Sequence, residues 1–274
     1  MSGTIIGLLA ETNLHPGSGQ TAGAIDLPVS RESTTQYPFV AGSSMKGAMR
    51  AYFQQWRAER VDEFFGKDEA GALIISDARV LLLPVRSLTG HYRWVTCPYL
   101  LERFQRDFAL CSSKKASFEV PKPQEGEVIV CEGKDSLPKL FVEEFAYTVK
   151  TEKLEGVIAA IAPLLHHESM RHRLVEALTI IADTDFKYFA QYGLCIRARN
   201  VLDDTTKTSK NLWYEESIPS DTLLYSLCLP RFPLHKQVQE FLETVTKHPY
   251  IQIGGNETVG QGWCVMQPQS GGDI

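Results

Sequence analysis

The residues that could do chemistry are few and far apart. Gly254, Gly255, Gly260 and Gly262 crowd one short stretch near the C-terminal end. Neighbouring glycines let backbone N–H groups approach a phosphate closely. Gly255-x4-Gly260 opens like a triphosphate-binding loop, but Gln261-Gly262 stands where Lys-Ser/Thr is required. No strand–helix crossover follows it, so a dinucleotide fingerprint fails as well, and a tight turn is the plain reading. His167 and His172 lie five apart, which puts them on different helix faces and excludes a zincin pair. Lys46 and Arg50 fall in the first turns of an expected helix, whose free N–H groups and positive dipole end attract anions. A solvated helix face explains that spacing equally well. Arg197, Arg199, Lys207 and Lys210 stand near Trp213 and Tyr214, a mixture suited to phosphate neutralisation and base stacking. The plain alternative is an exposed hairpin whose charge Asp203 and Asp204 dilute. Asp26 sits in Gly23-Ala-Ile-Asp-Leu-Pro28. Pro28 holds Leu27 extended, which presents Asp26 from a loop, and taken alone that aspartate reads as a turn residue.

The elements that must position these residues follow from periodicity. Thr4 to Glu11 reads as a first strand, and Asn13 to Val40 as a long loop of a length that is usually functional or disordered. Ser43 or Ser44 can cap the next helix, in which Met45, Ala48, Met49, Tyr52, Phe53 and Trp56 share one apolar face. Ala72 to Val85 reads as a strand or bent strand pair and Pro98 to Leu110 as a second helix. The polar stretch from Ser112 to Lys139 reads as an insertion or lid. Leu140 to Val149 suggests a strand, and Glu152 to Leu165 and Ser169 to Thr179 suggest helices. Leu178 to Ala182 is a short apolar run that ends in Asp183. Alternation from Cys195 to Val201, a polar tip and then Leu212-Trp-Tyr indicate a long hairpin over about 195–214. Thr222 to Leu229 reads as a strand and His235 to Lys247 as a helix. Ile251 to Ile253, the glycine stretch and a closing strand from Trp263 to Met266 complete the chain. Strands and helices alternate with insertions, so an α+β fold is expected.

Composition bounds the answer. A chain of 274 residues, 43% hydrophobic and 22% charged, is enough for one large domain or two small ones and for a sizeable buried core. The net charge of −5 argues against binding nucleic acid over a whole basic surface, yet allows one basic groove on an acidic body. The six cysteines are scattered, with no Cys-x-x-Cys pair, so neither structural zinc nor a disulfide framework is expected and reduced thiols in a cytoplasmic protein are. No secretion signal is expected, and no apolar run approaches the ~20 residues that cross a bilayer.

Several segments together resemble a known family. His15-Pro-Gly-Ser-Gly-Gln-Thr, Ile25-Asp-Leu-Pro-Val-Ser-Arg31-Glu32 and Phe39-Val-Ala-Gly-Ser-Ser-Met-Lys46-Gly-Ala-Met-Arg50 resemble the N-terminal signature of the RAMP superfamily. They are most similar to its multi-copy backbone subunits of the Cmr (type III-B) CRISPR complex. Leu83-Pro-Val-Arg-Ser-Leu-Thr-Gly, Trp94-Val-Thr-Cys-Pro, Ala182-Asp-Thr-Asp-Phe, Arg197-Ala-Arg-Asn, Leu212-Trp-Tyr-Glu-Glu and Ile253-Gly-Gly-Asn-Glu-Thr-Val-Gly-Gln-Gly continue it in the same order. Each piece is weak; the ordered set, spanning nearly the whole chain, is specific.

The resemblance implies a single domain over 1–274 with a ferredoxin-like (RRM-type) core, a thumb hairpin at about 195–214 and an insertion at about 112–139. It implies copies stacked in a helical filament along CRISPR guide RNA, beside other subunits of the complex, with no membrane partner. The thumb would displace a nucleotide of the single-stranded target RNA at regular intervals. Beside each displaced nucleotide, Asp26 would support cleavage with a divalent cation, Mg²⁺ or Mn²⁺, whose site the RNA phosphate completes. His15 is a second candidate participant. RNA contacts would come from Ser43, Ser44, Lys46 and Arg50, from Arg197, Arg199 and Lys207, and from Gly254, Gly255, Gly260 and Gly262. The alternatives are a scaffold of the same complex without catalysis, a Csm-type counterpart, a stand-alone enzyme that processes repeat RNA, and a small-molecule enzyme with a phosphate loop.

Overall fold

Thr4-Ile-Ile-Gly-Leu-Leu-Ala is apolar at both alternating sets of positions, so the strand it forms must be covered on both faces. In the computed structural model, which describes residues 3–20, 23–112, 118–133, 138–231 and 235–270, this is β1 (Thr4–Ala10), buried along its length. Further strands are β2 (Phe39–Val40), β3 (Leu73–Ile75), β4 (Ala78–Arg86), β5 (Tyr92–Thr96), β6 (Glu127–Cys131), β7 (Lys139–Val142), β8 (Phe145–Glu152), β9 (Leu178–Ile180), β10 (Cys195–Leu202), β11 (Ser209–Ser217), β12 (Leu223–Pro230), β13 (Tyr250–Gln252) and β14 (Trp263–Ser270). The helices are α1 (Gly42–Trp56), α2 (Val61–Phe65), α3 (Pro98–Cys111), α4 (Glu155–Ile161), α5 (Glu168–Ala177), α6 (Asp183–Tyr192) and α7 (His235–Lys247).

Among the described residues the strands build one large mixed sheet in the order β13-β14-β1-β12-β4-β5-β9-β6-β8-β7, with β2 beside β4 and β3 beside β12. The β5–β9 and β6–β8 pairs are parallel and the other neighbours antiparallel. On one face Ile6 and Leu8 meet Met45, Phe53, Phe64, Phe186 and Phe241 of α1, α2, α6 and α7. On the other, Ile5 and Leu9 meet Phe104, Phe108, Ile161 and Leu174 of α3, α4 and α5. Each such buried side chain contributes about 1.5–3 kcal/mol. The expected α+β class is therefore what the chain adopts, in two helical layers about a sheet. No helix of the described residues is long and apolar enough to cross a membrane.

The structure corrects several local expectations. Neither Ser43 nor Ser44 caps α1. The N-cap is Ala41, which has no side-chain bond, and the Gly42 N–H is taken by Asp77 Oδ1 at 2.6 Å. Tertiary packing thus supplies a carboxylate that fills the role of the local cap. Trp56 leaves the apolar face, is 46% exposed and stacks on His248 at 3.6 Å between centroids. The segment 112–139 is not all insertion. Residues 113–117 and 134–137 lie outside the described residues, but Glu-Val-Ile-Val-Cys forms β6 within the sheet, with Val128, Ile129 and Val130 buried. Branched apolar residues outweigh polar flanks once a sheet can cover them. The single strand expected over Leu140 to Val149 is the hairpin β7–β8, turning at Glu143 with φ 48°. The short run before Asp183 is strand β9, and Asp183 opens α6, whose Phe186, Phe189 and Ala190 are buried.

Candidate functional site

The long loop between β1 and α1 is tied down at discrete points. Leu14 bridges Ile218, Gly17 bridges Val29, Leu27 bridges Glu215 and Arg31 bridges Pro38. Two of these bridges, those of Leu14 and Leu27, lead to one place, the base of the β10–β11 hairpin. That hairpin is a two-stranded sheet of its own, in register from Cys195↔Ser217 to Val201↔Asn211. It therefore runs eight and nine residues in its two strands, against the expected 195–214. One face carries the Arg197↔Glu215 and Arg199↔Trp213 pairs; the other carries Ile196, Ala198, Leu212 and Tyr214. Ile196, Leu212 and Tyr214 of this second face are exposed, as are Val201 and Leu202 near the tip. A bare two-stranded hairpin is marginal in water, so this apolar side calls for a covering surface.

The tip is well ordered by its own chemistry. Asp203 Oδ1 accepts from Thr205 N–H and Thr206 N–H at 2.8 Å each, and Lys210 Nζ lies 2.9 Å from Asp203 Oδ2. These bonds hold the Asp203 carboxyl down at about 2, with the Thr206 backbone bond first among the causes. Lys207, at φ 57° and exposed, projects from this turn.

Glu216 anchors the loop to the hairpin. It is 2% exposed. Its Oε1 lies 2.5 Å from Arg31 Nη2, and its Oε2 accepts from Val29 N–H at 3.0 Å. Its own carbonyl lies 2.7 Å from His15 Nδ1. A carbonyl can only accept, so Nδ1 carries the proton and, in the neutral ring, Nε2 is bare. The imidazole is 8% exposed. A side chain at Gly17 would come within 2.9 Å of His15 Nε2, and one at Gly255 within 3.3 Å of its ring. His15 is thus packed between two glycines, which explains both.

Asp26 stands beside this anchor. It is half-buried, and its Oδ2 accepts from the backbone N–H of Tyr214 on β11 at 2.7 Å. The loop and the hairpin are therefore one structural unit, and Asp26 lies where they join.

The glycine stretch closes the same neighbourhood. Gly255 N–H donates to His15 O at 3.0 Å and Gly262 N–H to Asn13 O at 2.8 Å. Gly254, Gly260 and Gly262 have φ near +80°, a region in which side chains are strained. A Cβ on Gly262 would meet Ile253 O at 2.2 Å. Asn256 Nδ2 donates to Glu215 Oε1 at 2.5 Å, the oxygen that Arg199 also approaches, at 3.2 Å. So His15, the loop carrying Asp26, Arg199 and the glycine stretch meet around Glu215 and Glu216.

The first-helix cations part company. Arg50 is engaged by the Asp62 carboxylate and the Gly66 carbonyl of α2. Lys46 is half-buried. A groove of about 420 Å³ runs between α1 and the β13 edge, lined by Ser44, Gly47, Gln55, Tyr250, Gly254 and Trp263 among others. Ser44 and Gly254, expected from opposite ends of the chain to meet one ligand, do share it.

Sequence reading missed Glu215, Glu216, Arg31 and Asn256. The one available signal was two consecutive acids directly after the apolar run Leu212-Trp-Tyr. Other clusters carry less. His167 Nε2 lies 2.8 Å from Glu11 Oε1, and His166 Nδ1 lies 3.0 Å from Gln267 Oε1. Among the described residues no group of three or more His, Cys, Asp or Glu could hold a metal ion. Burial pushes the Cys111, Cys228 and Cys264 thiols up to about 12, so they are not nucleophiles near neutral pH.

Comparison with known proteins follows the same lines. The family pattern described as the RAMP superfamily matches residues 8–265. The protein named CRISPR system Cmr endoribonuclease Cmr4, from Pyrococcus furiosus, is 36% identical over 281 aligned residues, covering 96% of this chain and 94% of its own. The crystal structure of oligomeric Cmr4 from Pyrococcus furiosus superposes with a TM-score of 0.81 at 32% identity, covering 99% of each chain. A subunit of a type III-B Cmr-beta complex, seen by cryo-electron microscopy bound to cognate target RNA, has a TM-score of 0.78 over 98% of this chain and 97% of its own. At 21% identity that likeness is one of fold.

Proposed function

This chain belongs to the RAMP superfamily, and we propose that within it the chain is a Cmr-type backbone subunit that binds CRISPR guide RNA and cuts complementary target RNA. In this reading copies stack along the guide, as the oligomeric relative's name suggests. They sit beside other subunits of a cytoplasmic complex, and the sheet with α1 and its neighbours corresponds to the ferredoxin-like core. The observation that carries the proposal is the Asp26–Tyr214 bond. It puts a loop carboxylate at the root of a projecting hairpin that bears Arg197, Arg199 and Lys207. Ser44 and Gly254 suit a guide backbone at the groove they line between α1 and β13, and Ser43 and Lys46 suit contacts from elsewhere on the same helix. Arg50 suits a supporting role there, because its guanidinium is already neutralised.

The chemistry follows from RNA's own nucleophile. The hairpin pries a nucleotide out, which lets the 2′-OH align with the adjacent phosphorus. That oxygen attacks, the bond from phosphorus to O5′ breaks, and a 2′,3′-cyclic phosphate and a 5′-OH result. The 2′-OH proton leaves to the Asp26 carboxylate or to water it holds, and the leaving O5′ takes a proton from water. With one oxygen bonded to Tyr214 N–H, Asp26 would hold a divalent ion by its other oxygen, and phosphate and water would complete the shell. Such an ion, Mg²⁺ or Mn²⁺, would supply charge neutralisation at the phosphate. His15, buried with Nδ1 tied to Glu216, is better suited to holding the loop than to proton transfer.

The reading is tested by assembling the complex with guide RNA and adding complementary RNA with Mg²⁺. Evenly spaced products are expected, and Asp26→Ala should abolish them while guide retention and assembly persist. Normal cutting by that variant would leave Asp26 a structural link and the chain a scaffold.

A further inference from the structure

We propose that the backbone N–H of Tyr214 is the positioning group for Asp26, so that the hairpin that meets RNA also aims the cleaving carboxylate. The proposal rests on the reading of Asp26 given above. Leu27 runs parallel to Glu215, and two bonds of that ladder are present. Leu27 N–H donates to Tyr214 O at 3.1 Å, and Glu216 N–H donates to Leu27 O at 3.0 Å. One further step of a parallel ladder would send the Tyr214 N–H to the carbonyl of Ile25. It goes instead to Asp26 Oδ2 at 2.7 Å. The side-chain carboxylate thus takes the place of a main-chain carbonyl at the point where the loop turns away from β11.

Two consequences make this a device for aiming and not only a turn. A bond to a charged acceptor is short and strong, so one oxygen is fixed and the other is left pointing in a set direction. Reaction rates are sensitive to such orientation. In addition, the bond couples the carboxylate to the hairpin itself. Any movement of β11 as RNA strands part around the hairpin is passed on to Asp26 through Tyr214.

The geometry also supplies a clean test. Both the N–H and the C=O of Tyr214 face the loop, so neither serves the ladder with β10. Proline at 214 removes one donor and spares that ladder, and alanine keeps the donor and removes the ring. In the assembled complex with guide RNA and Mg²⁺, Tyr214→Pro should slow single-turnover cleavage about ten- to a hundredfold. Target affinity and product spacing should match those of Tyr214→Ala, which also lacks the ring. Tyr214→Ala, which loses the ring but keeps the donor, should cut clearly faster than Tyr214→Pro. Asp26→Glu, with the same charge one methylene longer, should also be slow. Wild-type cutting by Tyr214→Pro, or Tyr214→Ala as slow as Tyr214→Pro, overturns the proposal. If Tyr214→Pro does not assemble, Asp26→Glu decides, and its cutting at the wild-type rate is the overturning result. Asp26→Asn separates the two levels. Normal cutting by it removes the catalytic reading of Asp26, whereas an inactive Asp26→Asn beside a fully active Tyr214→Pro removes only the positioning.

Discussion

Arg31 holds a guanidinium nitrogen 2.5 Å from Glu216 Oε1, with the Glu216 side chain 3% and the Arg31 side chain 17% exposed. The same guanidinium donates to Gln36 O and Ala190 O. One buried pair thus binds the middle of the long loop to β11 and to α6. Removing one partner of such a pair strands the other's charge, at a cost of about 3–5 kcal/mol. Glu216→Ala is therefore expected to lower Tm clearly, and to reduce target cutting more than guide binding, because Val29 and Leu27 lose their register beside Asp26. Glu216→Gln, which keeps the shape, should lose less. Thermal melts alongside cleavage and filter-retention assays check both, and an unchanged Tm in Glu216→Ala would refute the anchor.

Lys46 and Arg50 should behave differently although they share a helix. Arg50 is occupied by Asp62 and Gly66, while Lys46 is half-buried on α1, outside the lining of the groove. Lys46→Ala should weaken guide retention and reduce the salt slope of binding by about one. Arg50→Ala should chiefly loosen α1 from α2 and leave that slope nearly intact. Retention measured across a salt series distinguishes them.

The glycines of the C-terminal stretch should not be equivalent. Gly262→Ala drives a Cβ to 2.2 Å from Ile253 O at φ +83°, whereas Gly260→Ala, at φ +78°, meets nothing within 4 Å. Both carry the left-handed strain of about 1 kcal/mol; only Gly262→Ala adds a backbone clash. Its Tm should fall further, and equal melting of the two variants would contradict the geometry.

Asp203 makes the hairpin tip acid-sensitive, with a defined sign. Its carboxyl is lowered from 3.8 to about 2 by the Thr206 and Thr205 N–H groups and Lys210. A depressed acid stabilises the turn fully above its ordinary value and loses that contribution as pH falls through about 2. The Thr205 and Thr206 amides should stay protected at neutral pH and open between about pH 4 and 2. In Asp203→Asn that pH dependence should vanish. Amide exchange measured by NMR provides the readout.

Much of this protein was legible from its sequence. The 3.6-residue spacing of Met45, Met49, Tyr52 and Phe53 determined the buried face of α1, and alternation around a polar tip determined the β10–β11 hairpin. The ordered motifs determined the family. These signals are local, because they record what residues a few positions apart must do together. What the tertiary structure decided is nearly all long-range. Asp26 meets Tyr214 across 188 positions and Arg31 meets Glu216 across 185. Asp77 takes over the cap that Ser43 could have provided, and β6 finds its place inside the sheet despite polar flanks. Such pairings depend on sheet register and on which neighbour arrives to satisfy a buried charge or N–H group. No local pattern of residues encodes that choice, so Asp26 reads as an ordinary loop residue until the hairpin is folded against it.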